Sequence, residues 1–350
     1  MTIFKKHIAA MSAYSPPLEG RDSSQHLLLD FNERTLPVSA PIREALIDFI
    51  NGDRLQMYPS YGDICGVLAD YCGVNPGEVM ITNGSDQGIE LIFRSICREG
   101  DEVIIPAPSF AMYKQCAGVE NLKVVEPQYR RDSGYPLQEV LDAITDKTRL
   151  VVVSNPNNPC GTLVDSADIL KIAKAAPRAG ILVDECYFEY TQTTVCEYLE
   201  QYPNLLITRT FSKTWGMPSL RFGYLLSAAE NIRCLMNVRG PYDVNQLAVI
   251  AARAALANPQ YTEHYVREVM EEAKPLLERF LGEQDIPYWK SAANYLWIFP
   301  ESVESFREAL MEACILVRPK ADADGKMGLR ITIGTLEQTA KLISVLRKAL

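Results

Sequence analysis

Metal-binding side chains are scarce in this chain. Its 350 residues hold only three histidines, His7, His26 and His264, and none of them forms an HExxH or HxH pair. The nine cysteines (65, 72, 97, 116, 160, 186, 196, 234 and 314) contain no CxxC pair. The usual ligand spacings for zinc are missing, so no metal site is expected. An odd, scattered set of thiols in a long chain fits free, mostly buried cysteines in a reducing compartment. Excess positive charge is lacking too. Lys and Arg total 35 against 44 Asp and Glu, a formal charge of −9, which leaves no electrostatic footprint for nucleic acid. No apolar run approaches the roughly 18 residues of a membrane span. The weak apolar stretch after Lys5-Lys6 stops at Ser15-Pro16-Pro17, so no signal peptide is expected and the predicted location is cytoplasmic. Any catalysis must rest on other groups or on an organic cofactor.

What is present is an alternation of strands and helices. The length suggests about two domains. Strands are predicted at 79–82, 102–106, 123–126, 149–154, 181–185, 205–210 and 222–226. Several are continuous apolar runs without alternation, as strands covered on both faces should be. Helical patterns lie between them. The clearest follows Ser85, where Ile89, Ile92, Phe93, Ile96 and Cys97 recur at helical spacing. Others are predicted at 109–118, 137–145 and 166–176. This reads as an α/β domain with a mostly parallel sheet. The tail differs. It carries an alanine-rich helix at 245–257 and a long helix at 261–281, which Pro275 should kink. Then come a strand at 294–299, a helix at 302–314, short strands at 315–318 and 329–333, and a final helix behind the capping box Thr335-Leu-Glu-Gln338. We therefore expect a large α/β domain over 36–257 and a smaller α+β domain from 258–350 together with the N-terminal arm 1–35.

Four stretches carry chemistry. The first is Thr208-Arg-Thr-Phe-Ser-Lys-Thr214, with Arg221 eight residues beyond Lys213. A lysine just past an apolar strand can be held in a pocket wall, where its pKa falls and its amine becomes a nucleophile. The plain alternative is a solvated loop lysine. The second is Asn83-Gly84-Ser85-Asp86-Gln87, which joins a strand to the strongest helix. It is either a simple N-cap or an anion site made of free N–H groups. The third, Ser154-Asn-Pro-Asn-Asn-Pro-Cys-Gly161, is a rigid loop at a strand's carboxyl end, where open α/β sheets bind ligands. There Asn158 could donate to a ligand, or the loop is only a turn. In the fourth, Leu182-Val-Asp-Glu-Cys-Tyr187, Asp184 ends an apolar strand and needs a cationic partner. An arginine or a protonated pyridine nitrogen would serve.

Taken together and in this order, these stretches resemble the fold-type I pyridoxal-phosphate aminotransferases over nearly the whole chain. The resemblance is to the histidinol-phosphate aminotransferase branch, through Tyr58-Pro59, Gly240-Pro-Tyr-Asp-Val-Asn245, Ser291-Ala-Ala-Asn-Tyr295 and Leu329-Arg-Ile-Thr-Ile-Gly-Thr335. It implies a large domain with a mostly parallel mixed sheet flanked by helices, plus the smaller α+β domain. It also implies pyridoxal 5'-phosphate as cofactor, with Lys213 as its covalent anchor and proton shuttle. Asp184 would hold the pyridine nitrogen, and Asn158 and Tyr187 the ring hydroxyl. Phe110 would stack on the ring. Gly84, Ser85, Ser212 and Arg221 would take the phosphate, with Asp86 nearby. Tyr58 would reach across a homodimer interface to the neighbour's phosphate. Arg318 and Arg330 would bind the anionic groups of an amino donor and an oxo-acid acceptor. The implied reaction is amino transfer from L-histidinol phosphate to 2-oxoglutarate. Aromatic amino acids are the alternative donors, and a threonine-phosphate decarboxylase-like lyase is the alternative chemistry. The sequence departs from the branch at Cys160, Phe110 and Asp243. The largest departure is Asn32-Glu33-Arg34-Thr35, where the family usually reads N-E-N-P. Asn32 in that segment is expected to approach the substrate.

Overall fold

A computed structural model describes residues 3–350; residues 1 and 2, the start of the 1–35 arm, lie outside the described residues. Its centre is a seven-stranded sheet. The strands are β1 (Val79–Asn83), β2 (Glu102–Ile104), β3 (Lys123–Val125), β4 (Thr148–Ser154), β5 (Gly180–Asp184), β6 (Leu205–Thr210) and β7 (Phe222–Ser227), in the order β1-β7-β6-β5-β4-β2-β3. All neighbours run parallel except β7, which is antiparallel to both β1 and β6. The seven predicted strands are therefore present, in a mixed, mostly parallel sheet.

The unbroken apolar runs have a direct cause. In β4, Val151 and Val153 enter one core while Leu150 and Val152 enter the other, and all four are buried. In β5, Ile181 and Val183 face the first core and Leu182 the second. Helices cover both faces, so each strand buries both of its sides. The helix Gly84–Ile96 belongs to the second core, with Ile89, Ile92 and Phe93 fully buried. Each such side chain stabilises the fold by roughly 1.5–3 kcal/mol relative to exposure.

The C-terminal part forms a four-stranded antiparallel sheet of β8 (Tyr288–Trp289), β9 (Tyr295–Ile298), β10 (Arg318–Ala321) and β11 (Met327–Thr332), in the order β10-β11-β9-β8. Its own core includes Leu296, Ile298, Leu310, Leu329, Ile331 and Leu342. The predicted strand 315–318 is divided. Ile315–Leu316 pairs with Leu27–Leu28 of the arm, whereas Arg318 begins β10. The arm itself has two parts. Leu29 lies in the C-terminal core, but His7 bonds the Val119 carbonyl and Tyr14 packs edge-on to Phe110 of the large sheet's flank. The long helix runs as Gln260–Arg267, a π-helical turn Glu268–Ala273, and Lys274–Glu283. The wider turn immediately precedes Pro275, whose missing N–H and bulky ring disturb the regular hydrogen-bond ladder. Helices at Ala40–Asn51, Ile64–Cys72 and Ala229–Met236 were not predicted.

Candidate active site

The carboxyl ends of β4, β5 and β6 meet the N-terminus of helix Gly84–Ile96 around a pocket of about 180 Å³. Ser85, Asp86, Phe110, Asn158, Asp184, Tyr187, Ser212, Lys213 and Arg221 all line it. Nine of the predicted site residues, drawn from six segments of the chain, thus converge on one cavity.

Asp184 ends β5 and is only 3% exposed. Its carboxylate accepts from Tyr113 Oη at 2.5 Å, Cys186 Sγ at 2.8 Å and Thr208 Oγ1 at 3.1 Å. All three donors are neutral. Burial pushes the Asp184 carboxyl pKa up, and the three hydrogen bonds oppose that rise only in part. A buried carboxylate without a cation is costly. A protonated ring nitrogen would supply the missing positive charge, so the residues present fit a pyridinium ligand. Sequence reading missed Tyr113, because a helix tyrosine facing inward looks like core. It had Thr208 in view only as part of the lysine stretch.

Lys213 follows β6. Its Nζ donates to the Phe31 carbonyl at 2.8 Å, and the side chain borders the pocket, so it is not a solvated loop lysine. Burial, and after it the positive charge of Arg330, hold its amine below the ordinary lysine pKa. That is the direction a nucleophilic amine requires.

The phosphate-sized corner is built from close backbone approach. Gly84 has φ +72°, and a Cβ there would collide with the Arg221 guanidinium. A Cβ on Gly223 would strike the Gly84–Ser85 backbone. Only glycines allow helix, strand and guanidinium to meet here. Asn83, at the N-cap, makes no side-chain cap bond, so the simple-cap reading gives way to an open helix N-terminus. Arg221 Nη1 donates to Ser212 Oγ at 3.2 Å, and Nη2 pairs with Asp86 at 2.9 Å. Both side chains of that pair are about two-fifths exposed, so the contact is solvent-screened and exchangeable.

On the opposite wall, Tyr187 Oη accepts from Asn32 Nδ2 at 2.9 Å, and Asn158 Oδ1 accepts from Arg330 Nη1 at 2.5 Å. Each leaves a donor for a ligand: the Tyr187 hydroxyl proton and the Asn158 amide hydrogens. The loop of Asn158 is therefore more than a turn. Arg330 also donates from Nη2 to the Asp30 carbonyl at 2.6 Å. Arg318 lies across the sheet from Arg330 and sits 5.4 Å from the Phe31 ring. Neither arginine lines the pocket directly; both border it through Asn158 and Phe31. Tyr58 stands apart. It is 78% exposed, stacked on Tyr242 at 4.5 Å, and does not line the pocket of its own chain.

The departures have local accounts. Cys160 is buried beside Trp289, Trp297 and Phe299 and accepts from Asn157 Nδ2 at 2.9 Å. Asp243 pairs with Arg239 at 2.6 Å and accepts from Gln87 Nε2 at 2.9 Å. Arg34 is buried, donates to the Thr214 carbonyl and Thr262 Oγ1, and lies over the rings of Tyr261 and Tyr265. It ties the arm to the residue beside Lys213. Phe31 and Glu33, in the segment expected to approach the substrate, line the pocket, although neither was singled out.

Among the described residues, no group of three or more His, Cys, Asp or Glu side chains could hold a metal ion, and no helix is long and apolar enough to cross a membrane. Residues 25–346 match the family model described as aminotransferase class I and II. A protein of Hydrogenovibrio crunogenus named histidinol-phosphate aminotransferase 2 is 33% identical over 98% of this chain and 95% of its own length. A histidinol-phosphate aminotransferase of Caldanaerobacter subterraneus subsp. tengcongensis is 32% identical over 92% of both chains. The crystal structure of histidinol-phosphate aminotransferase from Sinorhizobium meliloti, in complex with pyridoxal-5'-phosphate, superposes with a TM-score of 0.88 at 21% identity. The match covers 100% of this chain and 98% of that one.

Proposed function

The chain belongs to the class I and II aminotransferases, and from that premise we propose a pyridoxal 5'-phosphate-dependent transaminase moving an amino group from L-histidinol phosphate to 2-oxoglutarate. The observation that carries the reading is the pairing of Lys213 and Asp184 in one pocket, a depressed amine and a buried carboxylate lacking a cation. The near-full-length relatives named histidinol-phosphate aminotransferase support histidinol phosphate as the amino donor.

Bound pyridoxal phosphate supplies an aldehyde for amine exchange and a ring that withdraws electrons from the substrate's α-carbon. The chain's residues do the rest. Lys213 would anchor the cofactor and would carry a proton to and from the substrate's α-carbon. Asp184 keeps the ring nitrogen protonated. Asn158 and Tyr187 donate to the ring hydroxyl, and Phe110 stacks on the ring face. The uncapped helix N-terminus at Gly84 and Ser85, with Ser212 and Arg221, binds the phosphate. Asp86 partners Arg221 until the phosphate arrives. Arg330 and Arg318 orient the substrates' anionic groups, and Asn32 fixes the Tyr187 hydroxyl beside them.

We propose that the enzyme works as a homodimer in which Tyr58 reaches the phosphate end of the neighbouring pocket. Leu55, Met57, Tyr58, Met236, Val238 and Tyr242 are all exposed, and the Tyr58–Tyr242 stack joins the two segments. An apolar surface of this kind suits a protein interface.

Borohydride reduction of the yellow holoenzyme followed by peptide mapping should label Lys213. A label on another lysine, or none, sinks the reading. A panel of donors tests the substrate: histidinol phosphate should convert the cofactor to its amine form faster than phenylalanine does. 2-Oxoglutarate should then restore the aldehyde form, which a decarboxylase would not do at a useful rate.

A further inference from the structure

The mouth of the pocket beside Arg330 carries more positive charge than a carboxylate needs. Along β10, Arg318 and Lys320 are half-buried while Pro319 and Ala321 are exposed, so the two cations share the inward face. Arg318 lies directly across from Arg330, and Lys320 across from Gly328, so no side chain lies directly opposite it on β11. Lys320 feels the charges of both Arg330 and Arg318, and no carboxylate offsets them. The nearest acids on the arm are already engaged. Arg21 donates to Asp30 at 2.9 Å and to Glu33 at 2.5 Å. Phe31 lies between two guanidinium groups, Arg21 at 4.3 Å and Arg318 at 5.4 Å from its ring centre. Arg318 and Lys320 therefore have no hydrogen-bond or ion-pair partner among the described residues.

Three cations on one face, with the local acids bound by a fourth, form a site short of negative charge. A monoanionic carboxylate on Arg330 would leave two of the charges uncompensated. A dianionic phosphomonoester would offset one more, and a flexible ammonium is a good point-charge partner for phosphate oxygens. We propose that Lys320, acting with Arg318, is a specificity-determining residue that binds the dianionic phosphate of the amino donor and discriminates it from a carboxylate. The inference rests on the proposed phosphorylated donor.

The holoenzyme, Lys320→Met and Lys320→Arg provide the test. Competitive inhibition by inorganic phosphate and by acetate is measured near neutral pH against whichever amino donor the enzyme turns over. Steady-state kinetics are measured with histidinol phosphate and with phenylalanine. Loss of one charge from a partly screened site should weaken phosphate inhibition about tenfold. It should raise KM for histidinol phosphate by a similar factor, with kcat changed by less than about twofold, because the lost contact is one of binding. Acetate inhibition and the phenylalanine reaction should change several-fold less, and Lys320→Arg should restore most of the phosphate effect. Equal losses on phosphate and acetate, or none on either, overturn the assignment. A wild-type enzyme that uses phenylalanine but not histidinol phosphate would instead overturn the proposed substrate, while phosphate inhibition would still report on Lys320.

Discussion

The two ends of the pocket are built on different principles. At the cofactor end, the framework's own hydrogen bonds and ion pairs hold the charged groups in place, although Asp184 still lacks a cation. Arg209 and Glu185 form a buried ion pair at 2.8 Å beneath the ends of β5 and β6, Arg221 holds Asp86, and Asp184 collects three donors. At the substrate end, Arg318 and Lys320 lie side by side on the face they share with Arg330, and no acid offsets their charges. The first end is organised before anything binds; the second is held in an electrostatically unfavourable state that an anion relieves. Positioned, desolvated groups are what the chemistry requires, whereas unpaired charge is what recognition requires.

The largest effect should come from breaking the organised end at its amine. Lys213→Ala is expected to lower turnover by on the order of 10⁴-fold, since it removes both the proposed covalent anchor and the proposed proton carrier. Unfolding of the cofactor-free variant should shift far less than turnover, because the truncation removes one hydrogen bond to the Phe31 carbonyl together with a charged amine that burial disfavours. Residual turnover near the wild-type level would mean that the pocket's chemistry lies elsewhere.

Asp184→Asn comes next. It keeps the shape and the hydrogen-bonding oxygen that Cys186 and Thr208 use, but cannot hold a proton on a ring nitrogen. Turnover should fall by on the order of 10²–10³-fold, as when one preorganised electrostatic group is lost. The bound cofactor's absorbance should also shift toward the unprotonated ring. A matching loss at the substrate end, seen as a raised KM for the donor, would blur the distinction between the two ends; an unchanged KM would sharpen it.

The same division explains what could be read from the chain. The cofactor end was legible because each of its groups sits where an unbroken apolar strand stops: Asp184 after β5's core residues, Ser212-Lys213 just past β6, Asn83-Gly84 at β1. Strand ends are visible locally. The substrate end depends on contacts that no local pattern announces. Asn32 N–H donates to Thr332 and Arg330 to the Asp30 carbonyl, each across 300 residues, and Arg34 reaches the Thr214 carbonyl across 180. Arg34 drew notice only as a departure from a motif. Its role emerges from the tyrosine rings that enclose it. Helix Ala40–Asn51 escaped for a related reason: only Ile42 and Phe49 are buried, too sparse a stripe to mark the period. Tyr58 was legible only by resemblance, because its own chain gives it nothing but the Tyr242 ring.

The smallest effect is on stability, and it distinguishes unpaired charge from mere exposure. Burial, Arg330 and Arg318 lower the Lys320 pKa from 10.5 to about 8 in the folded protein. A lysine whose folded pKa lies below its unfolded value binds fewer protons when folded throughout the interval between the two. Stability should therefore rise as pH increases from about 8 toward 10.5 and show no Lys320-dependent slope below that window. Lys320→Met should flatten this slope and raise the denaturation midpoint modestly near neutral pH, where the wild type still carries the repelled charge. Lys320→Arg, which cannot lose its proton, should also flatten the slope but without the gain. A variant that becomes more stable while losing affinity for phosphate has traded recognition for relief of repulsion. If Lys320→Met were instead less stable than the wild type near neutral pH, the ammonium would have a stabilising partner. The contrast between a pre-organised cofactor end and a strained substrate end would then fail at Lys320.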